Sequence, residues 1–216
     1  MWSIFDSQTI LVLLTFLFVM CTGVIALLLL SRRPAVGAGE WGVMLLVYVI
    51  SSLLLQLRRP GWDLLPIPVY VSLGIVPGVL LWRGIRRWRG QDGLHPLTMI
   101  AWPLAGLVLA YVLPNWTSIN PGIVSTSLNT VLILICLVAC KQQRDLGYLQ
   151  GGLVMLFILQ CVRIGLYATE AMPYTLIASV LLQAILITSI AAALYHAVSH
   201  RAVGGVGESL SRSRAS

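Results

Sequence analysis

Charge is scarce in this sequence. It has 14 Lys/Arg and 7 Asp/Glu in 216 residues, or 10%, against roughly a quarter in an ordinary soluble domain. With 58% of residues apolar and a mean hydropathy of +0.92, the chain cannot cover itself with a water-facing surface. That excludes a soluble globular enzyme, an intrinsically disordered chain and a nucleic-acid-binding domain. The net charge of +7 does not argue for nucleic acid, because most of the arginines sit beside apolar runs of membrane length. They read as topology signals rather than phosphate contacts.

The missing residue types remove further classes. Lysine occurs once, at Lys141, between the fifth and sixth apolar runs; a retinal protein needs one in its last span. His95, His196 and His200 all lie away from mid-span, which excludes a transmembrane haem held by two histidines. His196 and His200, four apart at the end of the last run, suit a helix C-terminus, where the dipole favours positive charge. Cys21, Cys136, Cys140 and Cys161 contain no CxxC pair, so they read as small apolar packing residues and not as a redox relay. There is no GxGD, no HExxH and no evident Ser–His pair, and Asp63 has no partner aspartate. The reading is therefore of a chain with no catalytic residues, no metal site and no cofactor.

What is present is a series of apolar runs of about the 20 residues that cross a bilayer core. They are Ile10–Leu30, Trp41–Leu57, Leu64–Trp82, Leu97–Leu113, Ile123–Cys140, Tyr148–Ala168 and Tyr174–Ala197. None alternates with period two, so a β-barrel is excluded, and helices are the spanning structure left that satisfies the backbone. The expected fold is an all-α integral membrane protein, a seven-transmembrane-helix bundle over 1–200, with a flexible cytoplasmic tail over 201–216. The first run has no basic n-region and is too long for a signal-peptide core, so it reads as an uncleaved span. The longest loop, Arg83–Pro96, has 14 residues, too few to build a core of its own.

Basic residues orient the bundle. With the N-terminus outside and the C-terminus cytoplasmic, 11 of them fall inside: Arg32, Arg33, Arg83, Arg86, Arg87, Arg89, Lys141, Arg144, Arg201, Arg212 and Arg214. Only Arg58 and Arg59 fall outside; they either snorkel from a short second helix or mark a misplaced boundary between the second and third spans. Arg83, Arg86, Arg87 and Arg89, with Trp82 and Trp88, are expected at the membrane interface. Gly74–Gly78 and Gly147–Gly151 each place small residues four apart, as helix–helix contacts do.

Arg163 is the one charge well inside a span, where arginine costs at least about 2.5–3.5 kcal/mol at the bilayer centre. A snorkelling or bundle-locking role accounts for it. The functional alternative is a polar pocket open to the outside, lined by Arg163, Gln160, Tyr167 and Glu170, with Asn115, Trp116, Ser118, Asn120 and Asn129. An arginine, amides and an aromatic ring suit a small anionic or amphiphilic ligand.

The stretch Leu80-Leu81-Trp82-Arg83-Gly84-Ile85-Arg86-Arg87-Trp88-Arg89-Gly90 resembles the end of the third span in the N-terminal membrane sensor regions of bacterial diguanylate cyclases. Ser118-Ile119-Asn120 before the fifth span and Cys161-Val162-Arg163 within the sixth extend the likeness, which covers about Trp41–His200. Sensor regions of histidine kinases look similar. The resemblance implies an inner-membrane sensory module whose cytoplasmic output is a GGDEF domain. No GGDEF motif stands in this sequence, so the chain cannot itself make cyclic di-GMP. The expected partners are the lipid bilayer and a cytoplasmic signalling domain or protein, with a homodimer left open and nucleic acid excluded. The rival reading is a small membrane transporter or a lipid-processing membrane protein.

The charge asymmetry sets the first test. GFP fused after Ser216 should fluoresce and alkaline phosphatase at the same position should be inactive. Active phosphatase with dark GFP would reverse the orientation.

Overall fold

The computed structural model describes residues 17, 20–27, 37–56, 65–116, 120–141, 146–169, 178, 181–182 and 184–195, the side chains of 52, 53, 55, 56 and 116 excepted. Among them there are helices in seven places and no strand. We number these α1 (20–27), α2 (Ala38–Gln56), α3 (Ile67–Trp88), α4 (Pro96–Trp116), α5 (Pro121–Cys140), α6 (Gly147–Ala168) and α7 (Ala184–Tyr195). The helices α3, α4, α5 and α6 are long and apolar enough to cross a membrane, which supports a membrane protein. The described parts of α1, α2 and α7 are shorter. The tail, the loop arginines Arg32, Arg33, Arg58, Arg59 and Arg144, and both His196 and His200 lie outside the described residues.

Local chemistry explains the helix boundaries. The first turn of α3 holds Pro68, and α4 and α5 open on Pro96 and Pro121; proline's fixed φ and missing N–H do no harm in a first turn. Asn120 caps α5, its side-chain oxygen accepting from the Gly122 N–H at 2.8 Å. Nδ1 of His95 accepts from the Leu97 N–H at 3.3 Å at the start of α4.

The end of α3 differs from the sequence expectation. The helix does not stop at Trp82 but runs on to Trp88, and the loop shrinks to residues 89–95. The cause is a Schellman ending: the Gly90 N–H donates to the Arg87 carbonyl and the Gln91 N–H to the Arg86 carbonyl, each at 3.0 Å, with Gly90 at φ +69°. Only glycine adopts that φ without penalty. Arg86 and Arg87 in the last turn also oppose the negative end of the helix dipole. Arg83, Arg86 and Arg87 are thus helical, with fixed angular positions around α3.

Helix α3 is the hub, packing against α2, α4 and α5, and it is the most buried of the four long helices. Small residues make the close approach. A Cβ on Gly78 would stand 2.9 Å from Leu132 and 3.0 Å from Asn129 of α5, and one on Gly74 would stand 3.2 Å from Ser125. Gly106 of α4 lies directly under Ile75, and Gly84 lies under the indole of Trp41 on α2. Pro77 interrupts the hydrogen-bond ladder of α3. Across that break, the Asn129 amide donates to the Gly74 carbonyl at 3.1 Å and to its own Ser125 carbonyl at 3.1 Å. A neighbouring helix thereby adds an interhelical hydrogen bond at the carbonyl next to that of Leu73, whose own helical donor Pro77 lacks.

Beyond the hub, α5 packs on α6, and Gly152 of α6 lies against Ser189 of α7. Leu149, Leu153 and Leu156 join Leu186, Ile190 and Ala193 in one buried cluster. Of the two small-residue motifs, Gly74–Gly78 lies at the α3–α5 contact, whereas a Cβ at Gly147 or Gly151 would have nothing within 4 Å.

The contacts set neighbours α2 and α3, and α5 and α6, antiparallel. One end holds the start of α2 with the ends of α3 and α5; the opposite end holds Tyr70 against the Leu54 carbonyl, at 3.5 Å, and Gly122 under Tyr167. Gly78→Leu should therefore push α5 off α3 and lower stability by roughly 1–3 kcal/mol, the usual range for overpacking, while Gly151→Leu should change little. Thermal melts of the two variants in detergent check this; equal losses would contradict the assigned contact.

Candidate functional site at Arg163

Gln160, Arg163 and Tyr167 follow one another at i, i+3 and i+7 on α6 and so share a face. The structure brings all three together. Arg163 Nη1 donates to Gln160 Oε1 at 3.4 Å, Nη2 donates to Tyr167 Oη at 3.3 Å, and Cζ stands 5.7 Å from the Tyr167 ring centroid. Both hydrogen bonds are long for charge-assisted ones, which run to about 2.7–2.9 Å. Arg163 Nε is buried and makes no hydrogen bond among the described residues. Gln160 is only 4% exposed. Among the described residues, the guanidinium is thus held in place by two long hydrogen bonds and a ring contact, and no carboxylate faces it.

Two neighbours complete the setting. The ring of Tyr167 lies on Gly122, where a Cβ would stand 2.7–3.0 Å from three ring carbons; Asn120, which caps α5, is two residues away. Half-buried Tyr48 of α2 lies within electrostatic reach of both Arg163 and Tyr167.

The remaining residues of the expected pocket fall elsewhere or beyond view. Asn115 turns its amide to the Tyr111 carbonyl of its own helix at 2.7 Å, and Asn129 is engaged with α3. Trp116 ends α4, and its side chain lies outside the description, as do Ser118 and Glu170. The cluster therefore comprises Arg163, Gln160 and Tyr167, with Tyr48 and the Asn120–Gly122 turn beside it. Tyr48 was not legible in the sequence, because an aromatic in an apolar run carries no sign of its partner.

The basic cluster at the opposite end divides in two. Arg87 Nη1 pairs with Glu40 Oε1 of α2 at 2.6 Å, and Arg83 Nε stands 4.0 Å from the same oxygen. Arg83 Nη1 also reaches Met99 Sδ of α4 at 2.9 Å. Trp41 and Trp88 stack beside this pair, their ring centroids 5.1 Å apart and their planes 15° apart. Gly37, at φ +90°, lets the chain entering α2 press on the Gly84 carbonyl, 2.6 Å from where a Cβ would stand. Arg89 instead reaches α5, donating from Nη1 to the Ala139 carbonyl at 3.1 Å. Glu40 was missed as a partner because it lies 47 residues from Arg87, although it directly precedes the apolar run that opens at Trp41.

Cys136 and Cys140 are buried in the main core, and Cys21 and Cys161 are exposed. Among the described residues no group of three His, Cys, Asp or Glu could hold a metal ion.

Comparison with protein-family models, with curated proteins and with solved structures finds no match to this chain.

The Glu40–Arg87 contact sets a quantitative test. Glu40 is 13% exposed but Arg87 is 46% exposed, so solvent screens the pair and it should contribute about 0.5–1 kcal/mol. A double-mutant cycle of Glu40→Gln and Arg87→Gln, read by thermal unfolding in detergent, should return a coupling of that size. No coupling would mean that packing contacts, such as the Trp41–Trp88 stack and Trp41 on Gly84, hold the two helices at this end without the ion pair.

Proposed function

We propose that this chain is a seven-span inner-membrane sensory or regulatory module. In this reading its N-terminus is outside, its C-terminus is cytoplasmic, and its role resembles that of the input region of a diguanylate cyclase. The observation that carries the reading is Arg163: a guanidinium within a spanning helix, held by two long hydrogen bonds and with Nε making none among the described residues. A bilayer penalises such a group unless it is paired or hydrated. A site that keeps it incompletely satisfied is suited to a ligand oxygen, from a carboxylate, a phosphate or a polar lipid headgroup. Tyr167 and Tyr48 add an aromatic wall.

The mechanism is a population shift. A ligand that bonds Arg163 more strongly in one packing of α6 than in another favours that packing. Helix α6 leans on α7 at Gly152 and Ser189, where little slack exists, so a displacement of α6 is passed to α7 and to whatever output follows it. The rival, a transporter or lipid-processing protein, would show uptake or turnover in proteoliposomes.

Arg163→Leu should insert normally, since it removes a penalised charge, and should abolish or strongly weaken signalling through a fused output domain. Arg163→Lys should restore signalling only in part, because lysine lacks the planar fork of donors. Wild-type signalling and wild-type detergent stability in Arg163→Leu would reduce the residue to a snorkelling arginine and remove the basis of the reading.

A further inference from the structure

The basic end carries Arg83, Arg86, Arg87, Arg89 and Lys141 against Glu40 and Asp92 among the described residues. Those five cations do not form one patch. Successive α-helical residues are turned by about 100°, so Arg83 and Arg87 share one flank of α3, whereas Trp82, Arg86 and Arg89, at i, i+4 and i+7, share another. The first flank is committed inside the protein, to Glu40 and Met99, with Gly93 of the following loop beside it: a Cβ there would stand 3.4 Å from Arg83 Nε and 3.6 Å from Arg87 Nε.

The second flank lies between the faces that α3 turns to α4 and to α5. Ile75 on Gly106 marks the α4 side; Gly74 and Gly78, and then Arg89 on the Ala139 carbonyl, mark the α5 side. Arg89 thereby reaches the last turn of α5, which Lys141, exposed, directly follows. Arg86 is half-buried and its Nε makes no hydrogen bond among the described residues. Trp82, one turn before Arg86, is partly buried against both apolar clusters. Asp92, in the loop after α3, is exposed and forms no ion pair among the described residues.

We propose that this flank, with Trp82 and Arg86 on α3, Arg89 at its C-cap and Lys141 beyond α5, binds the phosphate headgroup of an anionic phospholipid in the leaflet at the basic end. The chemistry matches in depth as well as charge. Tryptophan favours the layer between acyl chains and headgroups, and arginine one turn further out meets the phosphate with a bidentate fork. Lys141 supplies a point charge from the neighbouring helix end. A lipid is favoured over a free anion because the cations stand one turn beyond Trp82, which packs on both apolar clusters, so charge and apolar surface adjoin on this flank as phosphate and acyl chain do in a lipid.

The test uses the full chain in nanodiscs of phosphatidylcholine and of a phosphatidylglycerol–phosphatidylcholine mixture. Native mass spectrometry reads the lipids retained, and thermal unfolding reads stability. Wild type should retain phosphatidylglycerol in preference to phosphatidylcholine and melt higher in the mixed discs. Arg86→Gln combined with Lys141→Gln should weaken that retention by about fivefold per cation removed. Arg86→Lys, which keeps the charge and is the milder substitution should the double variant fail to fold, should keep most of it. Glu40→Gln should not lower retention, because the Glu40 flank is a separate one. Equal retention of both lipids by wild type, or undiminished retention by a folded double variant, would overturn the assignment. So would inorganic phosphate raising the melting temperature in phosphatidylcholine discs as much as phosphatidylglycerol does, since that would make the site one for a free anion.

Discussion

Gly74, Gly78 and Gly84 leave α3 bare where it meets α5 and α2, and the neighbours fill that space with Ser125, Asn129, Leu132 and Trp41. In a bilayer this matters more than it would in water. Lipid tails are as apolar as leucine, so no hydrophobic gain draws one helix to another; close van der Waals contact and interhelical hydrogen bonds must do it. A helix carrying large side chains at those three positions would hold its partners further away and lose both terms. The Asn129 bond to the Gly74 carbonyl is available only at this short separation, and it falls beside the turn that Pro77 has disturbed. Packing and interhelical hydrogen bonding therefore share one cause, the missing side chains of α3.

The two ends of the bundle manage charge in opposite ways. At the basic end α3 runs past the apolar stretch, and its arginines find a carboxylate, a thioether, a carbonyl and, on the proposed reading, lipid phosphate. Each is a partner suited to a group at or beyond the interface, and the stacked Trp41 and Trp88 seal the α2 side. At the other end one arginine stands within the last two turns of α6 and, among the described residues, bonds an amide and a phenol. The first arrangement holds helices together. The second holds a charge in place and leaves part of its bonding capacity unused.

The apolar runs were legible because bilayer thickness imposes them. The expected Leu97–Leu113, Ile123–Cys140 and Tyr148–Ala168 lie within helices Pro96–Trp116, Pro121–Cys140 and Gly147–Ala168, and the proline openings account for the extra residues at the start of α4 and α5. The end of α3 was misjudged because hydropathy stops at Trp82 while helicity does not. Gly90, a terminator two residues past Trp88, was the signal to weigh instead. On α6, chemistry grouped Gln160, Arg163 and Tyr167 as an amide, a cation and an aromatic, and their i, i+3 and i+7 spacing, which sets them on one face, explains why the structure brings them together. Contacts across long separations had no such rule. Glu40 with Arg87, Tyr48 with Arg163 and the choice of Gly152 over Gly151 as the contact with α7 depend on how helices rotate against one another, which no local pattern encodes.

Helix α2 touches both charged regions. Glu40 and Trp41 stand at its start against α3, and Tyr48 lies within electrostatic reach of Arg163; Trp41 and Tyr48 are seven residues apart, about 10 Å along the axis. Trp41, Met44 and Tyr48, at i, i+3 and i+7, share a face, and Trp41 and Met44 belong to the core that also contains Leu149, Leu153 and Leu156 of α6. A side chain packed this tightly does not deform smoothly; it moves between discrete arrangements. If a ligand drew Arg163 away from Tyr167, the field at Tyr48 and the shared core that holds Trp41 and Met44 with Leu149, Leu153 and Leu156 would change together. The nearest element free to answer would be the α2–α3 clamp, since Arg87 is half-exposed and its ion pair is screened by solvent. On the proposed sensing role, the weak end of the Glu40–Arg87 pair is therefore an asset. A clamp worth less than a ligand's differential affinity can be shifted by that ligand, whereas a deeply buried ion pair in its place would lock the bundle in one state.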